Sequence, residues 1–408
     1  MPVHIGGITA DRTREFLAAA GGPFAFDLEG EKGDREVERF SRLFEVDRAR
    51  CAFDHGTIVA TLGAFSLDLT VPGGRMGCGG TTIAAVQPTH RRQGILRRLI
   101  DAHLDDVRAR EEPIAGLFAS DSAIYGRFGY GMASVSAYLT VSRPHVGFHR
   151  RAPNPTQVRT VPAAEAVDHM QPVFDRVVAT RPGMFSRSGA WWARRVHDEA
   201  DDRHGATAYR YAVAGAAGAV SGYAQYRLKP GTWDDGHGNG RVLVREIVAA
   251  TPEAAAGLWG FLLNHDLVES IEVDMIPVDD PLFALMAGYR RASPTISDQL
   301  FIRIVDLYRA LEGRRYSCDG AVSFRLHDPM TGGVASYRLG VSEGVGTVTP
   351  ADDGDIELDV EDLGTAFLGR SRFRALARAG RLSGMPAALA LADTMFAWDP
   401  APWCQEIF

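Results

Sequence analysis

Residues 81–107 constrain the fold more than any other stretch. Residues 81–86, TTIAAV, form a short β-rich run, and Pro88 blocks its regular continuation. A polar loop follows, His90-Arg91-Arg92-Gln93-Gly94. Ile95, Leu96, Leu99, Ile100, Leu104 and Val107 then recur at helical spacing on one apolar face. Arg97, Arg98, Asp101, Asp105, Asp106 and Arg108 fall mainly on the other. Residues 114–119, IAGLFA, read as a buried strand. Strand, loop, helix, strand is the βαβ order, which predicts an α/β domain. It also predicts a site. A helix N-terminus leaves N–H groups without intrahelical partners and carries partial positive charge. Gly94 lets a ligand approach the backbone, and Arg91, Arg92 and Arg97 add charge-assisted donors. The passage suits a phosphate, although it is neither a P-loop nor a GxGxxG turn.

At 408 residues the chain is long enough for two to four domains. Three segments are expected, 1–148, 149–299 and 300–408. In the first, Val37, Phe40, Leu43, Phe44 and Val46 predict a helix within 35–50. Residues 58–74 read as strand material closed by a Pro-Gly-Gly turn, and EKGDRE (31–36) reads as a flexible charged lip. HRRAPNPTQ (149–157) reads as a linker. The second segment repeats the strand–helix–strand order in RVLVREIVAA, PEAAAGLWGFLLNHDL and IEVDMIP, with a polar Gly-rich insertion at 229–240. FIRIVDLYRALEG (301–313) opens the third segment as a helix or an entry strand. Strands first and helices later then suggest α+β. The fold class expected for the whole chain is α/β and α+β. The terminal stretch MFAWDPAPWCQEIF is too apolar to dangle and is expected to dock.

Composition removes several classes. Apolar residues make up 46% and charged residues 23%, enough for several cores, so global disorder is excluded. A net charge of −7 argues against a general nucleic-acid binder. No apolar run reaches the roughly 18 residues of a membrane span. The N-terminus meets charge by Asp11 and lacks the apolar core of an export signal, so a cytoplasmic protein is expected. Cys51, Cys78, Cys318 and Cys404 form no CxxC pair, and no metal is expected.

Arg91-Arg92-Gln93-Gly94-Ile95-Leu96 resembles the Gln/Arg-x-x-Gly-x-Gly/Ala acetyl-CoA signature of the GNAT acetyltransferase superfamily, with Leu at the last position. PTHRRQGILRRL (88–99) is closer to one branch, the enhanced intracellular survival (Eis) N-acetyltransferases, and SDSAIYGRFGYG (120–131) is similar to a second block of that branch. The resemblance covers the whole chain. It implies an active GNAT domain, a degenerate second GNAT-like domain, a sterol-carrier-protein-like domain and a homohexamer. Acetyl-CoA would be the co-substrate. The acceptor would be a small-molecule or peptide amine: an aminoglycoside or similar polyamine, at several sites, or a lysine side chain. Matching positions assign Ala84, Ala85 and Val86 to the pantetheine arm, Arg92, Gln93, Gly94, Ile95, Leu96 and Arg97 to the pyrophosphate, and Ser120 and Asp121 to further CoA contacts. They assign Tyr125 as general acid and the C-terminal carboxylate of Phe408 as general base.

Direct transfer needs an uncharged amine, so one group must remove a proton. An α-carboxylate, with a pKa of about 3.5, is a weak base that burial would strengthen. A tyrosine is protonated at neutral pH and can donate to the leaving thiolate. Asp27, Glu36 and Glu406 are candidates for an acidic acceptor pocket. His90 reads as a loop-structuring residue. Trp191, Trp192, Arg194 and Arg195 read as packing residues. Residues 251–259, TPEAAAGLW, carry no arginine or glycine loop before the helix, so the second repeat is expected to bind no CoA. A different use of the chain would be a carrier of lipid or another apolar ligand, with the C-terminal domain working and the rest as scaffold.

Overall fold

The computed structural model describes residues 3–142, 147–216, 218–234 and 237–408. From the N-terminus, β1 (His4–Gly6) precedes α1 (Thr13–Phe24) and α2 (Gly30–Ser41). Then come β2 (Arg50–Asp54), β3 (Thr57–Val71), β4 (Gly74–Val86), α3 (Ile95–Ala109), β5 (Ile114–Phe118), β6 (Gly131–Met132) and β7 (Val135–Ser142). The middle of the chain forms β8 (Val158–Val161), α4 (Ala166–Val178), α5 (Gly189–Val196), β9 (Arg210–Ala214), β10 (Gly222–Lys229), β11 (Trp233–Asp234) and β12 (His237–Gly238). It continues through β13 (Gly240–Ala249), α6 (Pro252–Leu263), β14 (Val268–Ile276), α7 (Leu282–Leu285) and β15 (Thr295–Asp298). The last part forms β16 (Leu300–Ile304), α8 (Leu307–Glu312), β17 (Gly320–Asp328), β18 (Gly333–Ser342), β19 (Val345–Pro350) and β20 (Ile356–Asp359). It ends with α9 (Val360–Phe367), α10 (Phe373–Arg378), β21 (Ser383–Gly384) and α11 (Pro386–Phe396). Among the described residues no helix is long and apolar enough to cross a membrane.

The chain forms two compact units. One holds Met1–Ser134, Gln299–Asp399 and Glu406–Phe408; the other holds Val135–Asp298 and Pro400–Gln405. The first unit contains a sheet ordered β1-β2-β3-β4-β5-β16-β6, in which β4 and β5 are parallel. The apolar face of α3 builds its core: Ile95, Leu99, Ile100, Leu104 and Val107 are buried with Leu62, Ala115 and Leu117. Truncating Leu99 to Ala would cost about 2–5 kcal/mol. The same unit holds a five-stranded sheet, β19-β18-β17-β20-β21, and α9 to α11.

The second unit repeats the first sheet's plan as β8-β9-β10-β13-β14-β7-β15, with β13 and β14 parallel. Two strands depart from the expected borders at 148 and 299. β7, before residue 148, pairs with β14 and β15 of the second sheet. β16, after residue 299, pairs with β5 and β6 of the first. Each sheet therefore receives its sixth strand from beyond the expected border. Strand pairing is a non-local backbone match, so hydrophobic pattern along the chain cannot assign it. The expected lip at 31–36 is helical, within α2. Val37 and Phe40 pack on Phe16 and Leu17 of α1, and that contact orders the charged turn.

Candidate active site

β4 and β5 pair only from Cys78↔Ile114 to Thr81↔Leu117, after which β4 runs on to Val86 without β5 beside it. Opposite β3 the ladder slips between Thr61 and Gly63. Ile83, at φ 48°, sits in the bulge, and its carbonyl accepts from Thr61 Oγ1 at 2.9 Å. The opened strands leave a cleft of about 660 Å³, lined among others by Ala84, Ala85, Val86, Arg92, Gly94 and Arg97. Ile95, Leu96, Ser120 and Tyr125 line the same cleft. Ten of the thirteen residues expected to carry chemistry or CoA contacts thus share one cavity. Gln93, Asp121 and Phe408 are not among its lining residues. Gln93 reaches back to the Thr89 carbonyl, whereas Asp121 Oδ1 accepts from the Ala123 N–H at 3.0 Å and shapes the turn before Tyr125.

The loop geometry matches a phosphate cradle. Arg92 (φ 62°) and Gly94 (φ 74°) are both left-handed, and no side chain caps α3. A Cβ at Gly94 would meet nothing within 4 Å, so the space over the helix N-terminus is open. His90 braces the loop, with Nδ1 at 2.8 Å from Thr89 Oγ1 and Nε2 at 3.3 Å from Asp54 Oδ2. Arg97 also ties the cleft to the C-terminal sheet by donating to the Met330 carbonyl at 2.8 Å.

Tyr125 is buried at the start of a tight turn. Its carbonyl accepts from the N–H groups of Phe128 (3.0 Å) and Tyr130 (3.3 Å). Burial, with the Asp121 charge, pushes its phenol above the ordinary value, so it is protonated at neutral pH. Tyr130 stands edge-on to it, ring centroids 6.2 Å apart. The Tyr130 hydroxyl meets Thr81 Oγ1 at 3.2 Å, and Thr81 Oγ1 meets His103 Nε2 at 2.9 Å. Burial lowers the His103 pKa to about 3, so this chain is neutral. Sequence reading missed both Thr81 and His103. His103 lay within an apolar helix face, where one buried histidine carries no pattern of its own.

Phe408 is 8% exposed and belongs to the first unit. Its ring is edge-on to Phe118 of β5 at 5.5 Å and fills the space beside Gly80 of β4. The Phe408 ring therefore sits where the pairing of β4 and β5 ends. A second cavity, about 480 Å³, opens on the Ile83 side of the bulge. Leu17, Phe26, Leu28 and Phe40 give it an apolar floor, with Asp27, Glu29, Lys32 and Glu36 around it. Asp27 and Glu36 are thus brought together as expected, with Glu36 salt-bridged to Arg39. Glu406 is not: it is 3% exposed and lines neither cavity, although Ile407 beside it is half exposed.

Two parts of the chain match the acetyltransferase (GNAT) domain family, residues 5–133 and 183–304, and residues 307–405 match the sterol carrier protein domain family. An uncharacterized N-acetyltransferase of Streptomyces coelicolor is 36% identical over 91% of this chain and 92% of its own length. The N-acetyltransferase Eis of Mycobacterium tuberculosis is 32% identical over 78% of this chain and 77% of its own. The crystal structure of Eis1 from Mycobacterium abscessus superposes with a TM-score of 0.83 at 28% identity, covering 100% of both chains. The chain belongs to the Eis family of GNAT N-acetyltransferases.

GNAT domains use acetyl-CoA as co-substrate. The open helix N-terminus, the two left-handed residues and the arginines of this Eis-family protein fit its pyrophosphate, and Ala84–Val86, unpaired toward β5, leave backbone for the pantetheine arm. The second GNAT domain is built otherwise. Helix α6 starts with Pro252, which has no N–H, and Thr251 caps it by accepting from Ala254 N at 3.2 Å. Beyond the β13–β14 pairing lie Arg187 and Glu246, a buried ion pair, with Arg195 Nε at 3.8 Å and the Tyr223 hydroxyl at 2.8 Å. Residues 400–405 occupy the same region. Trp403 Nε1 donates to the Met275 carbonyl at 2.9 Å, Arg195 donates to the Gln405 carbonyl at 2.9 Å, and the Trp403 ring joins the core of this unit. Trp191, Trp192 and Arg195 are buried there as packing residues, as expected, whereas Arg194 is exposed with its guanidinium over the Trp191 ring. Elsewhere in this unit His197, Glu199 and Asp202 place three ligand-type atoms within 4.8 Å, with His197 Nε2 3.4 Å from Glu199 Oε1.

Proposed function

We propose that this N-acetyltransferase passes acetyl from acetyl-CoA directly to primary amines of polyamines such as aminoglycosides, at several positions, or to lysine side chains. The observation that carries the reading is the pair of cavities that β4 lines at its bulge, one through Ile83 and the other through Ala84–Val86. One holds the loop at 90–97 and Tyr125; the other is rimmed by Asp27, Glu29 and Glu36 against one cation, Lys32, among the described lining residues. Carboxylates around an apolar floor favour a cationic acceptor carrying a hydrophobic face. The name of the Mycobacterium tuberculosis relative, N-acetyltransferase Eis, supports transfer to nitrogen.

In this reading the Phe408 carboxylate takes a proton from the bound ammonium, directly or through water, and frees the nitrogen lone pair. Backbone N–H groups at the bulge polarise the thioester carbonyl. Tyr125 gives its phenolic proton to the departing sulfur. Its raised pKa keeps the proton available at neutral pH. We place the enzyme in the cytoplasm as a homohexamer, following the family resemblance. The test is thiol release with aminoglycosides, simple polyamines and lysine peptides, comparing the wild type with Tyr125→Phe and a chain lacking Phe408. Turnover of several polyamines that both changes abolish is the expected result. Turnover surviving both would remove the two residue roles. Absence of acetyl-CoA binding would favour the carrier reading of the C-terminal domain.

A further inference from the structure

The turn that carries Tyr125 rests on the sterol-carrier-like domain, and its glycines mark where. A Cβ at Gly126 would lie 2.6 Å from Glu361 Oε2. One at Gly129 would overlap the Arg303 guanidinium and come within 2.7 Å of Val360. One at Gly131 would overlap the Glu361 carbonyl oxygen and lie 2.5 Å from the Thr365 N–H nitrogen. From the other side, a Cβ at Gly364 would overlap the Ile302 carbonyl oxygen of β16. At Gly131 and Gly364 backbone thus meets backbone, whereas at Gly126 and Gly129 the neighbours are the side chains of Glu361, Arg303 and Val360. Arg303 locks the arrangement from within. It is 1% exposed, its Nη2 donates to Asp328 Oδ2 of β17 at 2.7 Å, and its Nη1 lies under Gly129. Glu361 is itself held by Arg381 at 2.7 Å.

We propose that helix α9 of the sterol-carrier-like domain, with the Arg303–Asp328 pair, is the brace that positions Tyr125 for proton delivery. The C-terminal domain is then a working part of the acetyltransferase. Thr365, Arg303 and the backbone of Glu361 are the positioning groups: they act on the turn and not on the reacting atoms. The proposal rests on the reading of Tyr125 as general acid. A turn fixed by packing holds the phenol buried, which keeps its pKa high, whereas a loosened turn admits water and moves the phenol toward its ordinary value. The alkaline limb of the kcat profile therefore reports the brace.

The experiment measures kcat across pH, acetyl-CoA Kd and thermal unfolding for Gly131→Ala, Gly126→Ala, Glu361→Ala and the double variant Gly126→Ala/Glu361→Ala, with Tyr125→Phe as reference. Gly131→Ala pushes the turn off the α9 backbone. Its kcat should fall about tenfold or more and its alkaline limb should move to lower pH, while acetyl-CoA Kd stays close to wild type. Gly126→Ala meets only a side-chain end, so its loss should be smaller, and Glu361→Ala should restore it by clearing the space. A folded Gly131→Ala enzyme with wild-type kcat and alkaline limb overturns the proposal. Should Gly131→Ala fail to fold, the Gly126 pair decides: a loss that Glu361→Ala restores supports the brace. No loss, or one that persists in the double variant, overturns it. If Tyr125→Phe itself keeps the wild-type profile, the general-acid reading has failed; if only the glycine variants are silent, the brace alone has.

Discussion

Helix α3 begins at Gly94 with an open, uncapped N-terminus, whereas α6 begins at Pro252 with Thr251 already bonded to Ala254 N. The two helices follow equivalent parallel-paired strands in sheets of the same order. Both preceding strands slip register near the point where pairing to the next strand stops: β4 opposite Thr61/Gly63 and β13 opposite Gln225/Tyr226. The first sheet leaves its opening as a cavity, and the second fills it with Trp403, Gln405 and a buried Arg187–Glu246–Arg195 cluster. One architecture therefore yields either an open cleft or a packing site. The difference lies in a few residues at the helix start and in what enters the splay.

The largest effect that would break this contrast concerns chemistry. Tyr125→Phe and deletion of Phe408 should each lower kcat by about 10²–10⁴-fold. Equilibrium dialysis should still find one acetyl-CoA per chain in both; a second bound equivalent would mean the second cleft is not closed. Next comes Glu246→Gln, which leaves Arg187 and Arg195 buried beside a neutral group. Breaking such a pair costs about 3–5 kcal/mol, readable as a lower urea midpoint, and an unchanged midpoint would deny the cluster its structural role. A smaller effect separates the two helix starts. Arg92→Ala should raise acetyl-CoA Kd about tenfold, the size of one charge-assisted bond. Thr251→Ala should cost about 1 kcal/mol of stability and leave acetyl-CoA Kd alone.

Acid should also tell the sheets apart. His103 has a folded pKa of about 3 against an ordinary 6.5, so protonation favours the unfolded chain. Its contribution is complete above pH 6.5 and is lost as pH falls toward 3. Glu246 is held at about 2 against an ordinary 4.5, so its contribution is complete above 4.5 and is lost as pH falls toward 2. Hydrogen exchange in α3 should loosen at milder acidity than in β13; the reverse order would contradict the assigned environments. The smallest effect is Asp280→Asn. Burial raises Asp280 to about 6, and its Oδ1 accepts from Trp259 Nε1 and Leu282 N. An amide oxygen keeps both bonds without the buried charge, so Tm at pH 7.5 should hold or rise slightly.

Much of the site was readable because its signals are local. Proline, arginines, glycine and the start of an apolar helix face stand within a dozen residues, and the loop they predicted lines one cleft with Tyr125. The acidic rim was half legible: Asp27 and Glu36 share a cavity, but Glu406 is packed inside the tail, and exposure is not encoded in residue type. Thr81, His103 and Arg303 gave no signal. Each looks like an ordinary strand or helix residue until distant segments bring it a partner.

The sequence by itself determined the α/β character of both repeats, the open phosphate loop of the first, its absence from the second and the apolar tail that must dock. These follow from periodicity, helix-start chemistry and the burial of apolar side chains, which act over a few residues. Only the tertiary structure decided which strands complete which sheet, where the splayed strands leave a cavity and where the tail fills one. It also decided that the Tyr125 turn sits on α9. Those outcomes depend on backbone pairing and close packing between segments up to about 330 residues apart, which no local pattern specifies.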